Sequence, residues 1–515
     1  FENYGNDVDP ENMTPYEVED IFGEGVCVRG TGTSCVLSPL AAKWMETQNE
    51  AMSGGHCMGF SVTALRMFTK AVKAKDYGAS QPVALPIQGN TDLQSLIAES
   101  WTYQNLPGIQ AKVVEGTPTA VLAKLEAALN SGKEQYTLAI FRADGGGGHA
   151  ITPFAVEDKG DGTKEILVYD NNFPGIIRKV DIDTQANSWH YVGGTNPKDL
   201  TEVYEGDADT QSLSLYPTSP GEEYQPCPFC KDGNAGATDP QPNTDSTVGA
   251  LGAVKDFNEI RLHSGRKNHP HLILTDEKGR QTGIVGGKLI NDIPGVELER
   301  NLAVQNWEET PEPAYRTPVG LPMAVSVDGS ELTKKVTANV TLSGAGLAIE
   351  VDSIKLKPGQ TDYIEFLGSG LGLTYETDPS STTSPDLYAT LEDGDVTKGG
   401  GYYVLGVTAL GFSAGSRIGF TIDQQGGRYE LSTEGTKPSK ASDGLGGKSL
   451  YAVTMVREKA SGQAQWLTDP ILLKGGKIGE RLRIDYRHAT GGKPLRVVGG
   501  KPGGPFTVYR GNPEK

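Results

Sequence analysis

Apolar residues in the first 215 positions recur first at helical and then at strand spacing. After Cys57 the residues that keep the helical period are Phe60, Ala64, Leu65, Phe68 and Val72. Elsewhere a Ser or Thr followed by Pro marks a helix start, because the hydroxyl caps the helix and Pro fits its first turn. These patterns predict helices over 13–22, 38–52, 57–74 and 117–133.

Strand-like runs follow the last of these helices. They are YTLAIF (136–141), HAITPFAVED (149–158) and EILVYDNN (165–172). The turn sequence DKGDGTK separates the second run from the third and predicts a hairpin. Helices followed by paired strands indicate an α+β domain over residues 1–215.

The pattern changes twice after this domain. Residues 216–248 are rich in Pro, Gly, Asp, Ser and Thr and contain CPFC, which predicts a linker or extended crossing segment. Residues 249–515 carry short alternating runs such as HLILTD, LAIEVDSIKL and RIGFTID, with turn signals between them. We therefore expect a multidomain chain whose C-terminal region is of β-sandwich type. It forms one large unit or two smaller ones with a boundary near 432–448.

Composition adds limits on partners and location. The net charge is −18, which argues against nucleic acid and anionic membranes as partners, because both require basic patches. No run of 18 apolar residues is present, so no transmembrane segment is expected. The sequence begins with Phe1, and we expect that a signal peptide has been removed from a secreted or cell-surface protein.

The five cysteines leave an odd thiol if the others pair. Cys27 and Cys35 flank a Gly-rich loop, and Cys227 and Cys230 form CPFC, so both pairs are disulfide candidates. CPFC is also compatible with an exposed thiol pair. A zinc site is disfavoured because no second CxxC is present, and a CPFC zinc site would need histidines from the distant HSGRKNHPH segment. No metal and no cofactor is expected. If both pairs form, the remaining thiol is Cys57.

Cys57 is a candidate nucleophile. Cysteine nucleophiles react as thiolates, and the free amides at a helix N-terminus, where Cys57 is predicted to lie, stabilise that charge. Such a nucleophile requires a base and a group that orients the base. His149 opens a predicted strand, and Asp170 ends the next one, where a hairpin brings the two together. Asn171 and Asn172 are alternative orienting residues.

Residues 40–175 resemble a papain-like cysteine peptidase, closest to the bacterial bacteriocin-processing (C39-like) branch. The resemblance lies in GGHCMGFSVTALRMF, in LEAALNSGKEQYTLAIFRADGGGGHAITPFAVED and in ILVYDNNFPG. It implies an N-terminal domain of papain-like fold in which Cys57 is the nucleophile, His149 the base and Asp170 the orienting residue. The chain departs from the family at the oxyanion hole, where a Gln normally precedes the Cys by a few residues. Here the nearest is Gln48, nine residues upstream.

Two functions follow from these observations. The first is an extracellular cysteine peptidase that cleaves or transfers peptide bonds of a peptide or protein substrate through a Cys57 thioester. The second is a non-enzymatic secreted surface or assembly protein, filamentous or in a lattice, that self-associates through its β domains. In the second case the papain-like domain is a degenerate structural module. The order Cys57, His149, Asp170 favours the first, and the long β-rich region favours the second.

Overall fold

A computed structural model gives the fold of the chain, and its described residues fall in both halves. They are 10–143, 147–194, 200–231, 257–265, 267–300, 302, 312–367, 371–381, 385–393, 401–410, 415–435, 450–459, 464–466, 471–474, 481–486, 497–500 and 507–509.

The described helices all lie in the N-terminal part. They are α1 Pro15–Phe22, α2 Pro39–Met52, α3 Cys57–Thr69, α4 Thr91–Trp101, α5 Pro107–Gln110 and α6 Pro118–Ser131. Short 3-10 helices span Glu24–Val26, Gly32–Ser34, Ala74–Tyr77, Pro82–Ala84, Thr102–Gln104 and Ser219–Glu222. Thr14 forms a capping box with Glu17 at α1, and the Ser38 side chain accepts a hydrogen bond from Ala41 N at α2, so the predicted starts of both helices are confirmed.

An eight-stranded antiparallel sheet packs beside these helices. The strands of this part are β1 Cys27–Arg29, β2 Val36–Leu37, β3 Val114–Glu115, β4 Tyr136–Phe141, β5 Gly148–Asp158, β6 Thr163–Tyr169, β7 Ile177–Asp183, β8 Ser188–Gly193, β9 Glu202–Gly206 and β10 Leu213–Pro217. The sheet order is β3-β10-β4-β5-β6-β7-β8-β9, while β1 and β2 pair separately. The predicted hairpin between β5 and β6 is confirmed, with Thr152 opposite Tyr169.

Helix α3 is the central element of this domain. Every residue from Cys57 to Thr63 is buried, and Ser61 Oγ lies 2.9 Å from Thr137 Oγ1 and 2.8 Å from Thr152 Oγ1, which ties α3 to β4 and β5. The prediction of a helix over 57–74 is wrong at its end, because Lys70 adopts a left-handed conformation that terminates α3. Phe68, expected on the apolar face, is 72% exposed.

All described elements from residue 257 onward are strands, which confirms the predicted all-β character there. They are β11 Phe257–His263, β12 His271–Thr275, β13 Gln281–Val285, β14 Lys288–Asn291, β15 Glu297–Glu299, β16 Ala314–Pro318, β17 Met323–Asp328, β18 Val336–Gly344, β19 Leu347–Leu356, β20 Thr361–Phe366, β21 Gly372–Glu376, β22 Asp386–Asp393, β23 Gly401–Leu410, β24 Ser416–Asp423, β25 Arg428–Gly435, β26 Leu450–Lys459, β27 Ala464–Trp466, β28 Ile471–Lys474, β29 Arg481–Asp485, β30 Val497–Gly500 and β31 Thr507–Tyr509.

These strands form two antiparallel sheets that share one apolar core. The first runs β15-β16-β11-β18-β19-β22-β23-β26-β27, with β28 also on β26, and the second runs β14-β13-β12-β17-β20-β21-β24-β25-β29-β30-β31. Ile349 of the first sheet and Phe420 of the second belong to the same buried cluster. The described part of that cluster includes Leu431 and Met455, on either side of the expected boundary at 432–448. Most of that boundary lies outside the described residues.

The expected linker divides into two parts. Residues 216–231 lie against the N-terminal domain, where Phe229 packs edge-on against Phe22 with ring centroids 5.2 Å apart, and Cys227 is buried in the same cluster. Residues 232–256 lie outside the described residues. Beyond them the β region contacts the N-terminal domain, for example through an ion pair of 2.8 Å between Lys43 Nζ and Glu350 Oε2. The two parts are therefore packed against each other.

Candidate active site

Cys57 begins α3, as its sequence context predicts. It follows Gly54 and Gly55, and Gly55 adopts a positive φ of 125° that an L side chain rarely takes. Its thiol is free, whereas Cys27–Cys35 and Cys227–Cys230 lie at disulfide distances of 1.97 and 2.04 Å. Cys57 is 5% exposed and belongs to the apolar cluster between the helices and the sheet. The one free cysteine therefore lies at a buried helix N-terminus.

His149 and Asp170 meet at one end of the β5–β6 hairpin. His149 is the second residue of β5, and Asp170 directly follows β6, so the antiparallel register brings both to the same end of the hairpin. His149 Nε2 lies 2.9 Å from Asp170 Oδ1. This pairing uses Nε2, and Cys57 lies near enough to the ring to raise the pKa of His149. The three residues that the sequence selects are thus brought together.

Asp170 is held by further hydrogen bonds. The Tyr191 hydroxyl donates to its Oδ2 at 2.5 Å, and the Asn172 backbone N–H donates to its Oδ1 at 2.8 Å. Asp170 is 0% exposed, so these donors replace the water that its charge requires. Asn171 and Asn172, the alternative orienting residues, hydrogen-bond to each other through their side chains at 3.4 Å. The imidazole hydrogen bond observed is to Asp170.

The charges of this pair are set by burial and by each other. Burial lowers the pKa of His149, but the Asp170 carboxylate and hydrogen bonds to Asp170 and Cys57 raise that pKa well above its usual value. Burial raises the pKa of Asp170, yet His149, Tyr191 and the Asn172 amide together bring it below its ordinary value. An imidazolium beside a buried carboxylate is therefore the favoured state of the pair.

Gln48 has an unused donor. It is fully buried in α2, where its Oε1 accepts a hydrogen bond of 2.6 Å from Asn105 Nδ2. Its Nε2 is buried and has no hydrogen-bond partner among the described residues. An unpaired buried donor costs about 1–3 kcal/mol, so it is a group for which a function should be sought.

The thiol is covered by a residue from the β region. Cys57 Sγ donates to the backbone oxygen of Leu302 at 2.8 Å, and the Leu302 N–H donates to Gln104 Oε1 at 2.8 Å. Leu302 is 0% exposed and lies in the same apolar cluster as Cys57. Leu302 therefore occupies the space beside the thiol, which we call the cleft.

Potential metal ligands lie elsewhere. Among the described residues, two groups place three ligand atoms within 4.8 Å of one another, namely Glu19 with Cys27 and Cys35, and His269 with His271 and Glu312. The first group is built on a disulfide pair. In the second, His271 Nδ1 lies 2.9 Å from Glu312 and Nε2 lies 3.4 Å from Glu331, so both of its nitrogens face carboxylates. Neither group includes Cys57 or His149.

Several residues of the site carry no sequence signal. Tyr191 lies on β8, two strands beyond the hairpin, and Leu302 lies 245 residues after Cys57. Gln104 and Asn105 follow α4, a helix that the sequence patterns above do not predict. The spacing of Leu93, Leu96, Ile97 and Trp101 was the signal available for that helix.

Comparison with known proteins gives no relative. No known family, curated protein or solved structure matches this chain. In the described part of the chain, every helix is too short or too polar to cross a membrane.

Proposed function

We propose that the N-terminal domain is a papain-like cysteine peptidase in which Cys57, His149 and Asp170 act together. The observation that carries this proposal is His149, whose imidazole is hydrogen-bonded to Asp170 and whose pKa is raised by both Asp170 and Cys57. A buried carboxylate costs folding free energy unless it is paired. Orientation of a catalytic imidazole by Asp170 would account for this buried carboxylate.

The reaction is acyl transfer. With the thiol proton on His149, which is then the imidazolium that the buried pair favours, the Cys57 thiolate attacks the carbonyl carbon of a peptide bond to form a tetrahedral intermediate. As the C–N bond breaks, His149 returns the proton to the leaving amine, and a thioester on Cys57 remains. Water, deprotonated by His149, then attacks the thioester, which releases the acid and restores the thiol.

Two donors are available for the oxyanion of the intermediate. The backbone N–H of Cys57 lies in the first turn of α3, where amides have no partner within the helix. The Gln48 side chain has a buried N–H group with no partner among the described residues, and we assign this group as the second donor. This assignment gives the buried orphan amide of Gln48 a role.

The location that fits this function is extracellular. The two cysteine pairs at disulfide distance are compatible with an oxidising environment, and Cys57 lies apart from both pairs. In this account the β region supports or regulates the peptidase domain.

One observation favours the alternative of a non-enzymatic surface or assembly protein, namely that Leu302 covers the thiol. A purely structural module gains nothing from an imidazole that is paired with a buried carboxylate. Apolar residues of the same volume would stabilise such a module at least as well. The peptidase is therefore the better supported of the two.

Hydrolysis of fluorescein-labelled casein by the full chain tests the proposal. We expect release of labelled peptides that Cys57→Ser abolishes and that His149→Ala reduces by about 10²–10⁴-fold, the usual contribution of a general base. His190→Ala, a histidine change on β8, is the matched control and should leave the rate unchanged. Equal rates in the wild type and Cys57→Ser, under conditions in which Cys57 reacts with iodoacetamide, would show that the peptidase assignment is wrong.

A further inference from the structure

We propose that the cleft beside Cys57 is a binding site for peptides with a leucine-sized aliphatic side chain, and that Leu302 fills this site in cis. The β region then acts as the inhibitor of the thiol. This inference rests on the proposed function, because inhibition has a meaning only if Cys57 is a nucleophile. It concerns the occupant of the cleft, and its tests measure alkylation of Cys57 and not peptide hydrolysis.

The backbone of Leu302 is bound as a peptide ligand is bound. Its carbonyl oxygen accepts a hydrogen bond from Cys57 Sγ, and its N–H donates to Gln104 Oε1, both at 2.8 Å. Both partners belong to the N-terminal domain. Capture of one donor and one acceptor of the same residue fixes the direction of the chain through the cleft.

The side chain of Leu302 fills an apolar pocket. It is fully buried, and a Cβ added to Gly148 would lie 2.9 Å from Leu302 Cδ2. Leu302 therefore packs against bare backbone of β5 directly beside His149. Arg300 also contacts the N-terminal domain, since its guanidinium lies 4.2 Å from the centre of the Phe141 ring.

A charged cluster holds this segment in place from the side of the β region. Glu299, the last residue of β15, pairs with Arg261 at 2.7 Å and also with Arg316. Arg316 in turn donates to the backbone oxygen of Asn105 at 2.8 Å, and the Asn105 side chain binds Gln48. The anchor of the segment is thus connected to both domains.

The geometry is that of an inhibitor and not of a reacting substrate. Attack requires the sulfur to lie over the carbonyl carbon with the oxygen turned toward the oxyanion donors. Here the thiol points its proton at the oxygen itself. The Leu302 carbonyl is therefore held where it blocks the nucleophile without being attacked.

The test is the rate at which iodoacetamide alkylates Cys57 in the native full chain, measured by mass spectrometry of the Cys57 peptide. Leu302→Asp places a carboxylate in an apolar pocket and should expel the segment. We expect the rate to rise at least about tenfold. That change corresponds to a loss of about 1.4 kcal/mol in the free energy with which Leu302 binds the cleft. Leu367→Asp, at a partly exposed position of the β region, is the matched control and should leave the rate unchanged.

A second variant leaves the pocket intact. Arg316→Gln removes the anchor and should also accelerate alkylation, whereas Arg417→Gln, which breaks an exposed ion pair with Glu365, should not. If alkylation is equally fast in the wild type, Leu302→Asp and Arg316→Gln, all with cooperative thermal unfolding, Leu302 does not cover the thiol and the inference is overturned.

A peptide with the sequence of residues 300–302 shows whether faster alkylation comes from an open cleft or from unfolding, because the peptide can protect Cys57 only if the cleft is folded. Acetyl-Arg-Asn-Leu-amide should slow alkylation of Leu302→Asp, while acetyl-Arg-Asn-Asp-amide should have no effect. Equal protection by the two peptides, or by neither, would overturn the leucine pocket. A cut after Leu302 in the purified wild type would overturn the inhibitory role. These results do not depend on casein hydrolysis, so failure of the inference and failure of the peptidase assignment are distinguishable.

Discussion

At the scale of single residues, Asp170 decides how His149 behaves. Its carboxylate is fully buried and accepts hydrogen bonds from Tyr191 and from the Asn172 amide as well as from the imidazole. These contacts fix the ring, and the negative charge raises the pKa of His149. Asp170 therefore affects His149 in two ways, by orienting the ring and by raising its pKa, and substitutions of Asp170 can distinguish the two effects.

Asp170→Asn keeps an acceptor for the imidazole and removes the charge, whereas Asp170→Ala removes both. We expect Asp170→Ala to lower kcat/KM for casein by about 10²–10⁴-fold, because the base loses its orientation. Asp170→Asn should retain more activity, and the alkaline limb of its pH–rate profile should move to lower pH, since the pKa of His149 falls without the carboxylate. Asp161→Asn, at an exposed turn, should change neither quantity.

An alkaline limb that stays in place in Asp170→Asn would show that the carboxylate does not control the charge of His149. Equal activity of the two Asp170 variants would show that orientation by this side chain is unimportant.

Sequence order identifies Cys57, His149 and Asp170 because each lies at an element boundary that local patterns reveal. The glycines before Cys57 and the turn between β5 and β6 are such patterns. Tyr191 and Leu302 are not accessible in this way, because their positions depend on pairing and packing between distant segments. In the sequence, a tyrosine or leucine in a strand-rich region indicates only a residue of the apolar core, because the sequence does not show which distant residue it contacts.

At the scale of elements, the helix that carries Cys57, α3, approaches α4 closely. Gly59 permits this, since a Cβ there would overlap the carbonyl oxygen of Ile97. The residues from Cys57 to Thr63 are buried all round, so the helix has no free face toward which it can shift. The period of apolar residues misplaces Phe68, which is exposed near the end of the helix.

Gly59→Ala should therefore separate the two helices. We expect the free energy of unfolding to fall by about 1–3 kcal/mol, as for other overpacked cores. Casein hydrolysis should fall as well, because Cys57 lies two residues away. Gly265→Ala is the control, since nothing lies within 4 Å of a Cβ at that position. Thermal or chemical unfolding of both variants is the measurement, and equal stabilities would contradict the close packing of α3 on α4.

At the scale of the whole molecule, the N-terminal part and the β region are packed against each other. Ala348 of β19 and Tyr402 of β23 belong to the same apolar cluster as Cys57, and Leu302 reaches the cleft from the segment that follows β15. The sequence predicts the two parts from the change in apolar period near 216–248. It does not predict their contact, because no local pattern records which surfaces of two folded parts will meet.

The buried pair also sets a pH dependence of folding. The pKa of His149 is raised in the folded chain, so its stabilisation is fully present below pH 6.5 and is lost as the pH rises through the folded value. We expect the stability of the wild type to fall more between about pH 6 and pH 9 than that of His149→Gln. Other groups with raised values, including His271 and Glu99, affect both chains and cancel in the difference. Parallel curves would contradict the charged pair.

The most direct measurement combines a variant that expels Leu302 from the cleft with a variant that lacks the Cys57 thiol. It compares hydrolysis of labelled casein by Leu302→Asp with hydrolysis by the same variant carrying Cys57→Ser. We expect Leu302→Asp to release labelled peptides faster than the wild type, and the added Cys57→Ser to return the rate to background. If the two chains hydrolyse casein at the same rate, or if neither does although Cys57 in Leu302→Asp reacts readily with iodoacetamide, the peptidase account is wrong.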